Sequence, residues 1–158
     1  MRRHSSPPWS FVSWTACALL GALSAAGCGD ASGVGTTYPV SGRITLNGEP
    51  LVAGNAMILF KPDAHRGNLS PFEPAGIPDA EGHYGLSTKG KSGAPPGWYK
   101  VIVTASTVEV GAAKDARHGH PHPMSLVPSK YGQAATTELS VEVVESAAPG
   151  AYDLKLAR

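Results

Sequence analysis

From Tyr38 onward, apolar and polar residues alternate along the chain with a period of two. In residues 40–46, Val, Gly, Ile and Leu alternate with Ser, Arg and Thr. An extended chain points successive side chains to opposite faces, so this pattern predicts a strand with one buried face. Asn47-Gly48 follows directly, and this dipeptide favours the positive φ angles of a tight two-residue turn.

The same alternation recurs in residues 98–105, where Tyr99, Val101 and Val103 share a face and β-branched residues dominate. Shorter segments with strand character are the apolar run 56–60, which favours a buried strand, and residues 83–87, 139–144 and 152–156. No segment has a convincing helical period, and no internal repeat is visible. Six or seven short strands joined by turn-rich links predict an all-β sandwich or barrel.

Composition agrees with this prediction. The chain has 158 residues, which suits one domain, and its hydrophobic fraction of 42% is enough for a core. It contains 19 Gly and 14 Pro, a content that disfavours long helices and favours turns.

The N-terminus predicts export. Arg2 and Arg3 precede residues 9–26, which carry no charge and are rich in apolar side chains, and small residues then lead to Cys28. This layout is typical of a secretory signal. It resembles the lipobox of bacterial lipoproteins, although Ala25 stands where that family usually has Leu. The resemblance implies a diacylglycerol thioether, with further acylation such as palmitate, on Cys28 and cleavage before it. Plain secretion and an uncleaved membrane anchor are the alternatives.

The expected organisation is therefore a signal peptide at residues 1–27, a flexible tether at 28–37 and a β-sandwich domain at 38–158. Gly29 is not the Asp that marks inner-membrane retention in enteric bacteria, so the outer membrane is the favoured location. Both cysteines lie in the first 28 residues, which excludes a disulfide framework for the folded domain. The membrane, reached through the lipid, is the first expected partner.

The charge balance excludes a basic nucleic-acid-binding domain. The whole chain carries a net charge of +1. Without Arg2 and Arg3, eleven basic and twelve acidic side chains remain, a net charge of −1. No basic field is left to attract nucleic acid, and none is expected as a partner.

Several short motifs together resemble carboxypeptidase regulatory-like domains. Residues 40–51 (Val-Ser-Gly-Arg-Ile-Thr-Leu-Asn-Gly-Glu-Pro-Leu) look like the opening of such domains, and residues 79–86 look like their Asp-x-x-Gly-x-Tyr-x-Leu turn and strand. Residues 93–101 are similar to their Pro-Gly-x-Tyr-x-Val strand entry, and residues 127–139 are similar to small transthyretin-like lipoproteins of planctomycetes. Pro78 departs from the usual Thr, and we expect it to shorten the preceding strand.

The resemblance implies a seven-stranded Greek-key sandwich of the prealbumin (transthyretin) type. The same motifs also have folding roles that need no family. Asp79 can accept backbone hydrogen bonds in a turn that Gly82 closes. Pro95-Pro96 fixes an extended entry, and Gly97 supplies a bend before the best strand.

Two patterns are candidates for chemistry. Residues 85–92 fit the string Gly-x4-Gly-Lys-Ser of a phosphate-binding loop, but Gly and Pro follow where a helix must start, so we predict a polar hairpin loop. Three histidines, His118, His120 and His122, alternate with Gly and Pro. In an extended chain these rings share one side, about 6.5 Å apart, and could bind Cu, Ni or Zn. A solvated loop is the plainer interpretation.

No catalytic arrangement is apparent, so no enzyme and no cofactor are predicted. Transthyretin-like folds include hydroxyisourate hydrolases, but those end in a Tyr-Arg-Gly-Ser motif that this chain lacks. The leading hypothesis is a lipid-anchored structural or protein-interaction module of the cell envelope, with an envelope protein as partner. The alternatives are a small-ligand or carbohydrate-binding module, with Trp98 and Tyr131 as platform residues, and metal binding through the His118–His122 loop.

Overall fold

The computed structural model describes residues 32–52, 55–107 and 124–158. In these ranges the regular structure is almost entirely β, which confirms the all-β class. Short 3₁₀ turns lie at Ala64–Arg66 and Ser129–Gly132, and no helix of the described residues is long and apolar enough to cross a membrane. The strands are β1 (Ser41–Leu46), β2 (Glu49–Pro50), β3 (Met57–Pro62), β4 (Ala75–Gly76), β5 (His83–Gly85), β6 (Ser87–Thr88), β7 (Lys91–Ser92), β8 (Gly97–Thr104), β9 (Ser140–Val143) and β10 (Leu154–Leu156).

The strands form two sheets around one hydrophobic core. The large sheet has the order β7-β6-β4-β3-β8-β9, so β7 and β9 are its edges. The small sheet is built on β1, which pairs in parallel with β10 and in antiparallel with β5 and β2. Residues of both sheets, such as Ile44 of β1 and Ile58 of β3, belong to the same buried cluster. The arrangement is sandwich-like, with more and shorter strands than the seven predicted.

Strand β8 is the longest strand of the large sheet and lies between β3 and the edge strand β9, and its burial alternates as predicted. Tyr99, Val101 and Val103 are at most 1% exposed. Trp98 and Lys100 are half-buried on the opposite face. The ring of Tyr99 lies 5.8 Å from that of Phe60 on β3, and its hydroxyl donates to the Pro95 carbonyl at 2.9 Å. The prolines before the strand therefore also satisfy its buried phenol.

The third strand differs from its prediction. Residues 56–60 were expected to be a continuous buried run, but β3 is shifted and alternates, with Ile58 and Phe60 buried and Met57 44% exposed. The strand also includes Pro62. Phe60 donates to the Pro74 carbonyl, on the β4 side. The missing N–H of Pro62 faces that same side, beyond the end of β4, where it removes no ladder hydrogen bond.

Residues 83–88 form one extended segment that serves both sheets. Its first part, β5, pairs with β1, and its last part, β6, pairs with β4. Between them, the Leu86 N–H donates to the Val40 carbonyl at 3.0 Å, and the Leu86 carbonyl accepts from Gly93 at 2.7 Å. The single strand predicted for 83–87 is thus two strands. The preceding strand β4 ends at Gly76, before Pro78, as predicted.

Two hairpins turn through residue pairs with positive φ. Asn47 and Gly48 have φ of 54° and 90° and join β1 to β2, which confirms the predicted turn. Lys89 and Gly90 have φ of 47° and 81° and join β6 to β7 in the same way. In both turns the glycine occupies the position where a side chain would be strained.

A charge placed on the inner face of β8 tests this assignment. Val101 is 0% exposed, whereas its neighbour Lys100 points to the outer face. We expect Val101→Asp to lower the free energy of unfolding by more than about 4 kcal/mol, because it buries an unpaired carboxylate. Lys100→Asp, the matched control, is expected to cost less than about 1 kcal/mol. Urea unfolding of both variants measures this, and equal losses would contradict the assigned faces.

Candidate functional site

The residues with the most specific predicted chemistry lie outside the described ranges. These are the lipidation candidate Cys28 and the histidines His118, His120 and His122. The structure does describe the points at which their two segments join the domain. The described residues also contain partly exposed aromatic rings, exposed strand edges and titratable side chains that could bind a ligand or a partner.

The N-terminal segment docks on the edge of the large sheet. Val34 is only 7% exposed, and the Thr37 hydroxyl donates to the Ser92 carbonyl at 3.0 Å. The Lys91 ammonium group donates to the Gly35 carbonyl. These contacts cover strand β7 and begin inside the stretch predicted as a flexible tether, residues 28–37. Contacts with the sandwich therefore extend from Tyr38 back to Val34.

The described residues on either side of the histidine segment are paired with each other. Ser106 and Ser125 form an antiparallel bridge. Beside it, the Leu126 N–H donates to Ala105 at 3.0 Å, and the Thr107 N–H donates to Met124 at 3.1 Å. The two ends of the histidine segment therefore lie side by side, and we call this pair of positions the base of the segment.

The base of the histidine segment lies at the end of the large sheet opposite the Lys89-Gly90 turn. β3 and β6 both run toward one end, where the Lys89-Gly90 turn lies and β8 begins at Gly97. We call this the hairpin end. β8 then runs for 8 residues, roughly 25 Å, to Thr104, next to the base of the histidine segment. The N-terminal segment contacts strand β7 of that hairpin, where the register places Ser92 level with Ile102 of β8. The N-terminal attachment point is therefore at the β7 edge of the sheet, and the base of the histidine segment is at the far end of β8.

At the hairpin end, Trp98 is half-buried under an arginine. The Arg66 guanidinium carbon lies 3.8 Å from the centroid of the Trp98 ring, and Arg66 Nη1 donates to Ser140 Oγ at 3.3 Å. The arginine is presented by the 3₁₀ turn Ala64–Arg66, which the Asp63 carboxylate caps by accepting from the His65 N–H. A ligand stacking on this face of the indole would have to displace the guanidinium.

Tyr131, the other predicted platform residue, is a core residue, which corrects that prediction. It is 1% exposed. Its hydroxyl accepts from the Ala157 N–H at 3.0 Å and donates to Glu138 Oε1 at 3.2 Å. The phenol therefore links the 3₁₀ turn Ser129–Gly132 to the C-terminal strand and offers no ring to a ligand.

The phosphate-loop string folds as the predicted polar hairpin. Its residues form β6, the Lys89-Gly90 turn and β7. The Thr88 hydroxyl donates to the Gly93 carbonyl at 2.7 Å, and strand β8, not a helix, is the next element after the hairpin. Without a helix N-terminus, the backbone N–H groups do not converge on a phosphate position as the motif's chemistry requires.

Within the described ranges, a carboxylate and an imidazole are paired at Asp79 and His83, in a geometry that stabilises a turn. Asp79 Oδ2 lies 3.6 Å from His83 Nδ1, and both side chains are largely exposed. The other carboxylate oxygen, Oδ1, accepts the backbone N–H groups of His83 at 2.7 Å and Glu81 at 3.0 Å. Gly82, with φ of 80°, closes the turn, as predicted. The backbone hydrogen bond from His83 lowers the pKa of Asp79 most.

The other perturbed groups are also structural. Burial raises the pKa of the Tyr84 phenol, whose hydroxyl donates to the Tyr152 carbonyl. At the surface, the hydrogen bond between Lys130 and Glu138, 3.0 Å long, raises the pKa of the lysine and lowers that of the glutamate. Within the described ranges, no group of three or more His, Cys, Asp or Glu is placed to hold a metal ion.

The remaining candidate is the edge strand β9. The Leu139 carbonyl accepts from the Val101 N–H, so by strand alternation Val141 and Val143 also direct their backbone groups toward β8. The backbone groups of Ser140 and Glu142 then point away from the sheet. An outward row of this kind can pair with the strand of another chain.

Comparison with known proteins adds no relationship. No protein-family model matches the chain, and no curated protein or solved structure matches it. The similarity to transthyretin-like domains therefore rests on the sequence motifs alone.

The contribution of the Asp79 carboxylate to the stability of the fold depends on pH in a way that can be measured. A carboxylate with a lowered pKa stabilises the fold above its unfolded pKa, about 3.9, and that contribution is lost as the pH falls through the folded pKa. We expect Asp79→Ala to lower the thermal midpoint at pH 7, and the difference from wild type to shrink below about pH 4. Asp79→Asn, which keeps an acceptor oxygen without the charge, is expected to be intermediate. A difference that stays constant with pH would show that the charge has no role.

Proposed function

We propose that the chain is a lipid-anchored cell-envelope protein whose β-sandwich acts as a non-catalytic structural or protein-interaction module. The anchor is the lipidated Cys28, and the outer membrane is the favoured location. The observation that carries the proposal is the combination of a lipobox-like N-terminus with a chain that docks on the sandwich from Val34 onward. Such a chain holds a folded domain next to a membrane.

The proposed fold type is the transthyretin-like Greek-key sandwich. Its support is the order of the sequence motifs and the two-sheet, single-core arrangement. The motif residues also have concrete structural roles, since Asn47-Gly48 and Asp79–Gly82 are turns and Tyr99 is central to the core. No role in these motifs involves a reacting group, which supports a module rather than an enzyme.

Strand β9 is the proposed interaction surface for an envelope protein. The edge is short, and Glu142 partly guards it against indiscriminate pairing, as charges on natural edge strands do. The opposite edge, β7, is covered by the chain's own N-terminal segment. On the large sheet, a partner strand can therefore pair with the outward-facing backbone groups of β9.

Ligand binding is the weaker alternative. Tyr131 is buried, and Trp98 lies under Arg66, so neither presents an open ring. Metal binding through His118, His120 and His122 remains a hypothesis from the sequence.

Lipidation is tested by labelling the full chain in a bacterial host. We expect labelled palmitate to be incorporated into the wild type and lost in Cys28→Ala, because the thioether lipid and the cleavage both depend on that cysteine. Cys17→Ala, the matched control, should keep the label. A native N-terminus at Met1, or label retained in Cys28→Ala, would contradict the proposal.

The interaction edge is tested with proline. The Glu142 N–H points away from β8, so Glu142→Pro blocks addition of a strand while preserving the ladder. Val141→Pro, whose N–H faces β8, is expected to destabilise the domain because it removes a ladder hydrogen bond, and it serves as the control. In pull-downs of the lipidated protein from envelope extracts, a partner retained by wild type should be lost from Glu142→Pro at an unchanged thermal midpoint. A partner retained equally by Glu142→Pro would exclude this edge.

A further inference from the structure

The hairpin end presents apolar and aromatic side chains beside cations. Leu69 is 82% exposed, the largest exposure among the large apolar side chains of the described residues. The Lys89 ammonium lies 4.8 Å from the centroid of the Phe72 ring, and the Arg66 guanidinium covers Trp98 at 3.8 Å. A single exposed leucine is ordinary, but one flanked by two cation–aromatic pairs is an unusual combination.

These residues form one continuous, internally ordered surface. The Asn68 amide donates to the Trp98 carbonyl at 2.8 Å and accepts from the Ser70 N–H at 3.0 Å. The Ser70 hydroxyl in turn accepts from the Phe72 N–H at 3.2 Å, and Phe72 contacts Lys89 on the hairpin. This chain of contacts fixes the loop on both sides of Leu69, so its side chain is held outward by the structure around it.

The charges at this end are not all neutralised internally. Lys61 pairs with Glu73 at 3.6 Å, and the Asp63 carboxylate caps its own turn. Glu142 lies opposite Trp98 in the ladder. Arg66 and Lys89, however, form no ion pair with a carboxylate of the described residues, so each keeps its charge available for an external anion.

The short chain between Cys28 and Val34 would bring a lipid bilayer close to these two cations, so lipid phosphates are the anions they can reach. Six residue steps separate Cys28 from Val34, a span of about 20 Å at most when fully extended. From Val34 the chain contacts the hairpin itself, through Gly35 with Lys91 and Thr37 with Ser92. A lipid on Cys28 therefore keeps the hairpin end within a short distance of the bilayer.

We propose that the hairpin end, with Leu69, Phe72 and Trp98 between Arg66 and Lys89, rests on the phospholipid surface. This inference depends on the lipid anchor at Cys28 proposed above. The apolar and aromatic groups lie at the headgroup level, where amphipathic rings are favoured, and the two cations contact lipid phosphates. In this orientation β8 runs away from the membrane, and the base of the histidine segment lies at the end of the domain farthest from it.

Trp98 is a built-in probe of this contact. The chain has three tryptophans, and Trp9 and Trp14 are removed with the signal peptide, so Trp98 alone reports in the mature protein. The full lipidated protein is reconstituted into phosphatidylcholine–phosphatidylglycerol vesicles with or without brominated acyl chains. We expect the brominated lipid to quench Trp98, and Leu69→Asp to lose most of that quenching. Ile77→Asp, equally apolar and 71% exposed but beyond β4 toward the other end, should retain it.

A second variant tests the electrostatic part without disturbing the turn. Lys89→Asn removes the charge but suits the positive φ of that position. It should reduce quenching in vesicles that contain phosphatidylglycerol and have no effect in pure phosphatidylcholine.

The outcomes separate the two proposals. If wild type sediments with the vesicles but Trp98 is not quenched, or if Leu69→Asp is quenched like wild type, the docking surface is wrong and the anchor stands. If the wild type does not sediment with vesicles, the lipid anchor fails, and the docking surface fails with it. Unchanged thermal midpoints for the variants show that any loss of quenching reflects lost contact rather than unfolding.

Discussion

One extended segment, residues 83–88, is hydrogen-bonded to strands of both sheets and so joins them. Tyr84 is buried in the small sheet, and Thr88 is buried in the large one. Between them, Leu86 exchanges backbone hydrogen bonds with Val40 and Gly93. Because successive residues of one strand are committed to both layers, the layers cannot slide past each other without breaking hydrogen bonds in each. The register of the whole sandwich depends on this crossing.

The crossing also sets where backbones must approach closely. A side-chain carbon at Gly76 would lie 2.3 Å from the Gly85 carbonyl oxygen, and one at Gly93 would lie 2.1 Å from that of Tyr38. Both positions therefore require glycine. The second approach is also the bridge through which the N-terminal segment reaches the domain, since Tyr38 pairs with Ala94. The constraint that joins the sheets thus also fixes the point at which the anchored chain meets the fold.

Local patterns in the sequence were sufficient to predict most strands and turns, but they did not predict which strands and side chains would pack against each other. The alternation around Tyr99 and the Asn47-Gly48 and Asp79–Gly82 turns follow from a few adjacent residues, and the structure confirms them. The division of residues 83–88 between two sheets depends on partners about forty residues away in β1, and no local signal reveals it. Burial of Tyr131 depends likewise on Ala157, and the stack of Arg66 on Trp98 joins two separate loops. The candidate surfaces come from such distant contacts, which explains why motifs alone could not locate them.

The bridge between Ser106 and Ser125 holds together the two ends of the stretch of chain between them. Since the ends of that stretch are already held together by the fold, adding residues to it costs only a slowly growing closure entropy. Its length and chemistry can therefore diverge in evolution without altering core packing. The same feature makes the site a natural graft point, at which a peptide of chosen sequence could be displayed on the end of the domain opposite the hairpin.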